Sequence, residues 1–104
     1  MLNLQPHELN HHLQQHQPLL LDVREPWEYD ICHLRGSELV PMRQIPQWAE
    51  QADKRQTTVV ICHHGIRSRQ VAMYLEHLGF KDVINLAGGV EAWAREVDTR
   101  MATY

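Results

Sequence analysis

Seven consecutive residues combine a nucleophile with the groups that would activate it: Cys62-His63-His64-Gly65-Ile66-Arg67-Ser68. A thiol reacts as its thiolate, and helix N-termini and neighbouring cations are the environments that favour that form. Arg67 brings a permanent positive charge, and Gly65 tolerates backbone conformations that other residues resist. A loop entering a helix also turns unpaired backbone N–H groups inward, which together with the helix dipole favour an anion at its centre. Cys62 is therefore the candidate nucleophile, and Gly65 and Arg67 are the candidate groups that favour its ionised form. A cysteine that only fills a core needs neither an anion cradle nor a guanidinium. His63 and His64 could add positive charge or contact a substrate, but an ordinary imidazole, with a pKa of about 6.5, is mainly neutral at pH 7.

Such a loop needs a strand before it and a helix after it, and the flanking residues supply both. Thr57, Thr58, Val59, Val60 and Ile61 are β-branched throughout and predict a central strand leading into Cys62. From Ser68 onward, Val71, Ala72, Leu75 and Leu78 recur at helical spacing, and Gly79-Phe80 predicts a glycine-closed helix end with Phe80 packed back on Leu75. Ligands bind at the carboxyl ends of strands in open parallel sheets, which is where this arrangement puts Cys62.

The rest of the chain continues the alternation. Met1 to Leu4 predicts a short edge strand, Pro6 to about Gln15 a helix, and Leu19 to Leu21 a strand buried on both faces. Glu25 to Asp30 reads as a short helical turn and Glu38 to Val40 as another strand. Met42 to Ala52 reads as a helix despite Pro46, Asp82 to Leu86 as a strand, and Val90 to Val97 as a last helix after Gly88-Gly89. This is an α/β pattern with a mostly parallel sheet covered by helices.

Composition narrows the function classes. The 104 residues are 43% hydrophobic and 22% charged, which fits one folded domain spanning 1–104. A net charge of -3 with scattered basic residues argues against nucleic acid and anionic membranes as partners. Apolar runs such as Leu19 to Leu21 are far too short to cross a bilayer, and the polar N-terminal stretch has no signal-peptide pattern. A cytoplasmic location is the expectation, and there Cys32 and Cys62 would stay reduced. His7, His11, His12 and His16 fall in one polar stretch and read as a solvated helix face.

In three segments the sequence resembles the single-domain rhodanese-like proteins. These are Leu21-Asp22-Val23-Arg24-Glu25 with Trp27-Glu28-Tyr29, then His33-Leu34-Arg35-Gly36-Ser37, then the Cys62 loop with Gly79-Phe80 and Leu86-Ala87-Gly88-Gly89-Val90-Glu91-Ala92-Trp93. The resemblance implies a five-stranded sheet with helices on both faces and Cys62 as the sulfur-accepting nucleophile, its persulfide held by the backbone N–H groups of residues 63 to 68. It also implies that Arg67 binds or orients anionic groups. Asp22, Arg24, Glu28 and His33 are expected to hold the fold together rather than to react. Cys32 stands where the family usually has glycine, and Ser37 where alanine is common; Cys32 reads as a tolerated substitution rather than a second, resolving thiol.

The expected reaction moves a sulfane sulfur from a small donor such as thiosulfate to a thiol or cyanide, without metal or organic cofactor. Three rivals remain at this point. Phosphatases of the same architecture place five residues between cysteine and arginine, where this loop has four, and so need a wider ring of amides. A non-catalytic binding module could lose the nucleophile, which this chain keeps. A zinc site from Cys32, His33, Cys62, His63 and His64 lacks the two- to four-residue gaps that structural zinc favours. A carrier moving persulfide sulfur between protein partners stays open, as does oligomeric state.

Overall fold

The computed structural model describes residues 1–104. The runs of leucine and β-branched residues form five strands: β1 (Leu2–Leu4), β2 (Leu19–Asp22), β3 (Glu38–Leu39), β4 (Thr58–Ile61) and β5 (Val83–Leu86). They make one all-parallel sheet in the order β1-β5-β4-β2-β3. The β-branched run takes the central place. All four residues of β4 are buried, with Leu21 opposite Val60 on one side and Val59 opposite Ile84 on the other.

Parallel strands require crossovers, and four helices lie in them: α1 (Pro6–Leu13), α2 (Pro26–Ile31), α3 (Ile45–Gln51) and α4 (Ile66–His77); α5 (Gly89–Glu96) follows the last strand. Alternation along the strands divides the core between the two faces. Leu21, Val60 and Cys62 pack with Ile45 and Ala49 of α3 and Val71, Ala72 and Leu75 of α4. Leu20, Val59, Ile61 and Leu86 pack with Leu9 of α1 and Val90 and Trp93 of α5. Helices therefore cover both faces, and no helix is long and apolar enough to cross a membrane.

Most element boundaries fall within a residue or two of the sequence-based expectation, and two of the differences have a plain physical cause. The helix read over Met42 to Ala52 is split into a single 3-10 turn, Met42–Gln44, followed by α3. Pro46 has no N–H to donate and fits only in a first helical turn, so the chain restarts its helix just before it. The helix read from Ser68 begins at Ile66, which brings the end of the Cys62 loop into the first turn of α4. At the far end of α4 the Phe80 amide donates to the Leu75 carbonyl at 3.1 Å, and both side chains join the same core face, as the glycine-closed end implies.

Candidate active site

Cys62 directly follows β4 at its carboxyl end, and only 1% of its surface is exposed. Gly65, at φ 92°, turns the chain into α4 in the left-handed conformation that glycine tolerates. The turn folds the loop around the sulfur: Cys62 Sγ accepts the Gly65 amide at 3.1 Å and the Ser68 amide at 3.3 Å. The amides of Ile66 and Arg67 lie in the same first turn, where a helix offers no internal acceptors. An anion at the sulfur position would meet a set of backbone donors aimed at it.

A neutral side-chain relay closes the other side of the sulfur. The thiol lies 3.2 Å from Ser68 Oγ, Ser68 donates to Asn85 Oδ1 at 2.5 Å, and Asn85 Nδ2 donates to Asn3 Oδ1 at 2.9 Å and to the Gly65 carbonyl at 3.3 Å. The amide orientation of Asn85 follows from this network, since the flipped group would face two acceptors with its oxygen. Ser68 is wholly buried and Asn85 is 2% exposed, so each needs these partners.

The carbonyl side of the loop is tied down by α5. Val90 N–H donates to the Cys62 carbonyl at 2.9 Å and Glu91 N–H to the His63 carbonyl at 3.1 Å. Gly89 makes this approach feasible, because a Cβ there would collide with both carbonyl oxygens. The loop's acceptors are thus used by the first turn of α5, leaving its donors to face the sulfur.

Arg67 projects away from the loop to Glu28 in a two-pronged pair, Nη1 to Oε1 at 2.8 Å and Nη2 to Oε2 at 2.9 Å. Glu28 is placed by the start of α2, where its carboxylate reaches back to the Glu25 amide at 2.9 Å. The Arg67 hydrogen bonds hold the Glu28 carboxyl well below the usual range, at about 2, even though burial opposes this. Arg67 is pushed above its ordinary value by the same pair. Behind them lies Arg24, fully buried, bonded to Asp22 through Nε at 2.9 Å and Nη2 at 2.7 Å and to the Cys32 carbonyl at 2.6 Å. Burial alone would lower Arg24, but Asp22 and Tyr104 more than offset it and keep it charged.

Tyr104 joins the two ion pairs: its hydroxyl accepts from Arg24 Nη1 at 2.9 Å and donates to Glu28 Oε2 at 2.7 Å. Its ring stacks on His63 with centroids 3.9 Å apart, and the exposed Trp27 meets it edge-on at 5.7 Å. Burial, with the bond to Glu28, raises the phenol to about 12, so it remains a donor near neutrality. Burial and the neighbouring His64 push the His63 imidazole below its ordinary value, which keeps it neutral at pH 7.

His64 points to solvent and pairs with Glu91, Nε2 to Oε2 at 2.6 Å. Donor atoms of His63, His64 and Glu91 all lie within 4.8 Å of one another. The two imidazoles are stacked at 3.9 Å with planes only 30° apart, so their in-plane lone pairs do not converge on one point. Holding a metal there would require one ring to turn. Ile66 is 69% exposed and opens the first turn of α4. Cys32 and Cys62 are both free thiols, and they belong to the packing clusters on opposite faces of the sheet.

Asn85, Asn3 and Tyr104 are the site residues that sequence reasoning misses. Asn85 carries a signal, a lone amide inside the apolar run Val83-Ile84-Asn85-Leu86 of a strand expected to be buried. Tyr104 carries none.

Comparison with known proteins gives a consistent set of relatives. A family model described as "Rhodanese-like domain" matches residues 5–96. The thiosulfate sulfurtransferase GlpE of Vibrio cholerae is 36% identical over 83 residues, covering 80% of this chain and 78% of that protein. The Arabidopsis thaliana rhodanese-like/PpiC domain-containing protein 12, chloroplastic, is 42% identical over 89 residues, covering 82% of this chain, which spans 30% of that longer protein. Among solved structures, a rhodanese-like domain protein from Staphylococcus aureus superposes with a TM-score of 0.83 at 32% identity, over 93% of this chain and 95% of that one.

Proposed function

The chain belongs to the rhodanese-like domain family, and from that premise we propose that it is a sulfurtransferase carrying sulfane sulfur on Cys62. The observation that carries this reading is the sulfur's own surroundings, Cys62 Sγ buried at the end of β4 with the Gly65 and Ser68 amides donating to it. In the first step the thiolate attacks the outer sulfur of thiosulfate; the S–S bond of the donor breaks, sulfite leaves with its electron pair, and a Cys62 persulfide anion forms. In the second step cyanide or an acceptor thiolate takes the outer sulfur and the Cys62 thiolate returns. The amides of the loop act where negative charge develops, and they are already in place before the donor arrives. Arg67 serves through its pair with Glu28, fixing the loop to α2. The reaction draws on residues 1–104 as one unit in a reducing compartment such as the cytoplasm, and no metal takes part.

A protein acceptor is the second reading, supported by the exposed Ile66 on the loop and the exposed Trp27 beside Tyr104. Apolar side chains at the mouth suit a partner surface better than a small anion.

Intact mass after incubation with thiosulfate tests the proposal. The expected outcome is a gain of one sulfur atom, absent in Cys62→Ala and discharged by cyanide as thiocyanate. No gain from thiosulfate or from a persulfidated protein donor would sink it.

A further inference from the structure

We propose that Tyr104 is a positioning residue of the Cys62 site, holding the anion-binding loop at both of its ends. This rests on the sulfurtransferase reading for its reaction, but the geometry concerns the loop itself.

Two contacts carry it. At the start of the loop the Tyr104 ring lies nearly parallel to His63, 14° from coplanar with centroids 3.9 Å apart. At the far end the hydroxyl donates to Glu28 Oε2, the oxygen that also accepts Arg67 Nη2. The phenol is held in turn by Arg24 Nη1, whose guanidinium is locked on Asp22 in the core. A single side chain thus links the buried Arg24–Asp22 pair to Glu28, through Glu28 to Arg67, and by stacking to His63. Residues 102–104 pack close enough against His63, Val90 and Glu91 to leave a gap of only about 10 Å³, the room of about one water.

The consequence is mechanical and electrostatic. A carboxylate free to rotate would let the Arg67 guanidinium swing with it, whereas one fixed by the Glu25 amide, Arg67 and Tyr104 cannot. A loop braced at His63 and Arg67 keeps its amides aimed at the sulfur without reorganising when an anion arrives. The Tyr104 hydroxyl stays protonated near neutrality, so it donates to Glu28 throughout the working range.

The experiment measures the rate of Cys62 alkylation by iodoacetate, an anion, against iodoacetamide, its neutral counterpart, with Tyr104 intact, in Tyr104→Phe and in Tyr104→Leu. Cys32→Ser, present in all three proteins, confines the reaction to Cys62. Positioning predicts that the anion-to-neutral ratio falls about threefold in Tyr104→Phe, which keeps the ring and loses the hydroxyl, and about tenfold in Tyr104→Leu, which loses both. The thiosulfate KM should rise in the same order with kcat less affected. A merely structural role would lower Tm and change both alkylation rates alike, leaving the ratio fixed; that result overturns the proposal. A rising ratio also overturns it, since the tyrosine would then be shielding the site. If Tyr104→Leu fails to fold, the ratio in Tyr104→Phe decides alone. The alkylation ratio does not depend on sulfur transfer, so wild type that fails to take sulfur while the ratio still falls would remove the sulfurtransferase reading and leave the positioning role standing.

Discussion

The two sides of the Cys62 loop are held by different chemistry. On the sulfur side the partners are neutral: two backbone amides, the Ser68 hydroxyl and the carboxamides of Asn85 and Asn3. On the Arg67 side they are ionic: Glu28, Arg24 and Asp22, joined by one phenol. The neutral side sits where charge must come and go during reaction, so it is built from dipoles that need not change protonation. The ionic side lies farther from the sulfur and sets position through charged groups whose inner members, Asp22, Arg24 and Glu28, are buried, so that removing one leaves its partner uncompensated. The division predicts that losing a charged member of the ionic side appears first as lost stability, and damage to the neutral side first as lost rate.

The largest effect is expected from Arg24→Leu. Arg24 and Asp22 are both fully buried, so removing the guanidinium leaves a carboxylate uncompensated in the core as well as freeing Tyr104 and the Cys32 carbonyl. The cost should be about 3–5 kcal/mol, enough to consume much of a small domain's stability. Urea unfolding measures it, and a loss below about 1 kcal/mol would show that the ionic side does not hold the fold.

Glu28→Gln should do less and do it in a pH-dependent way. The Glu28 carboxyl titrates at about 2 in the folded chain, below its ordinary value of 4.5. The folded state therefore binds fewer protons than the unfolded chain across that interval, so the ionised group stabilises above about 4.5, and its contribution is lost as pH falls toward 2. Wild type should lose stability through this window, and Glu28→Gln should start lower at pH 7 and show a flatter profile between pH 4.5 and 2. Thermal melts across the range test this; parallel profiles would mean that other carboxylates carry the acid sensitivity.

How much of this is legible in the sequence depends on how far apart the partners lie in the chain. The nucleophile, its glycine and its β-branched strand are contiguous, and local propensity and turn chemistry expose them directly. Apolar periodicity places the start of α4 two residues late, because the first turn carries an exposed Ile66 and a half-buried Arg67, which add nothing to the pattern that begins at Val71. Pro46 is visible, but its consequence, a 3-10 turn and a fresh helix start, depends on how the preceding segment crosses from β3. Glu28 meets Arg67 across 39 positions and Tyr104 across 76, and no periodicity relates them. Such ion-pair partners are chosen by topology. Asn85 lies between, since a buried amide in an apolar strand announces a polar partner without saying which one.

The smallest stability effect and the most specific kinetic one should come from Ser68→Ala on the neutral side. The substitution removes the hydroxyl 3.2 Å from the sulfur and leaves the Ser68 amide, which still donates to Cys62, in place. It also leaves Asn85 Oδ1 without the donor now 2.5 Å away, although Asn85 keeps its bonds to Asn3 and Gly65. When Cys62 ionises, the thiol no longer donates to Ser68, and the hydroxyl can turn from Asn85 to donate to the thiolate. One neutral hydrogen bond contributes about 0.5–1.5 kcal/mol, so the rate of sulfur uptake from thiosulfate should fall about three- to tenfold. No carboxylate or ammonium group is touched, so the acid profile of stability should keep the wild-type shape, displaced by a constant amount. A changed profile would mean that the two sides are coupled through the loop, and an unchanged rate would mean that the backbone amides alone hold the sulfur, reducing the Ser68–Asn85–Asn3 relay to packing.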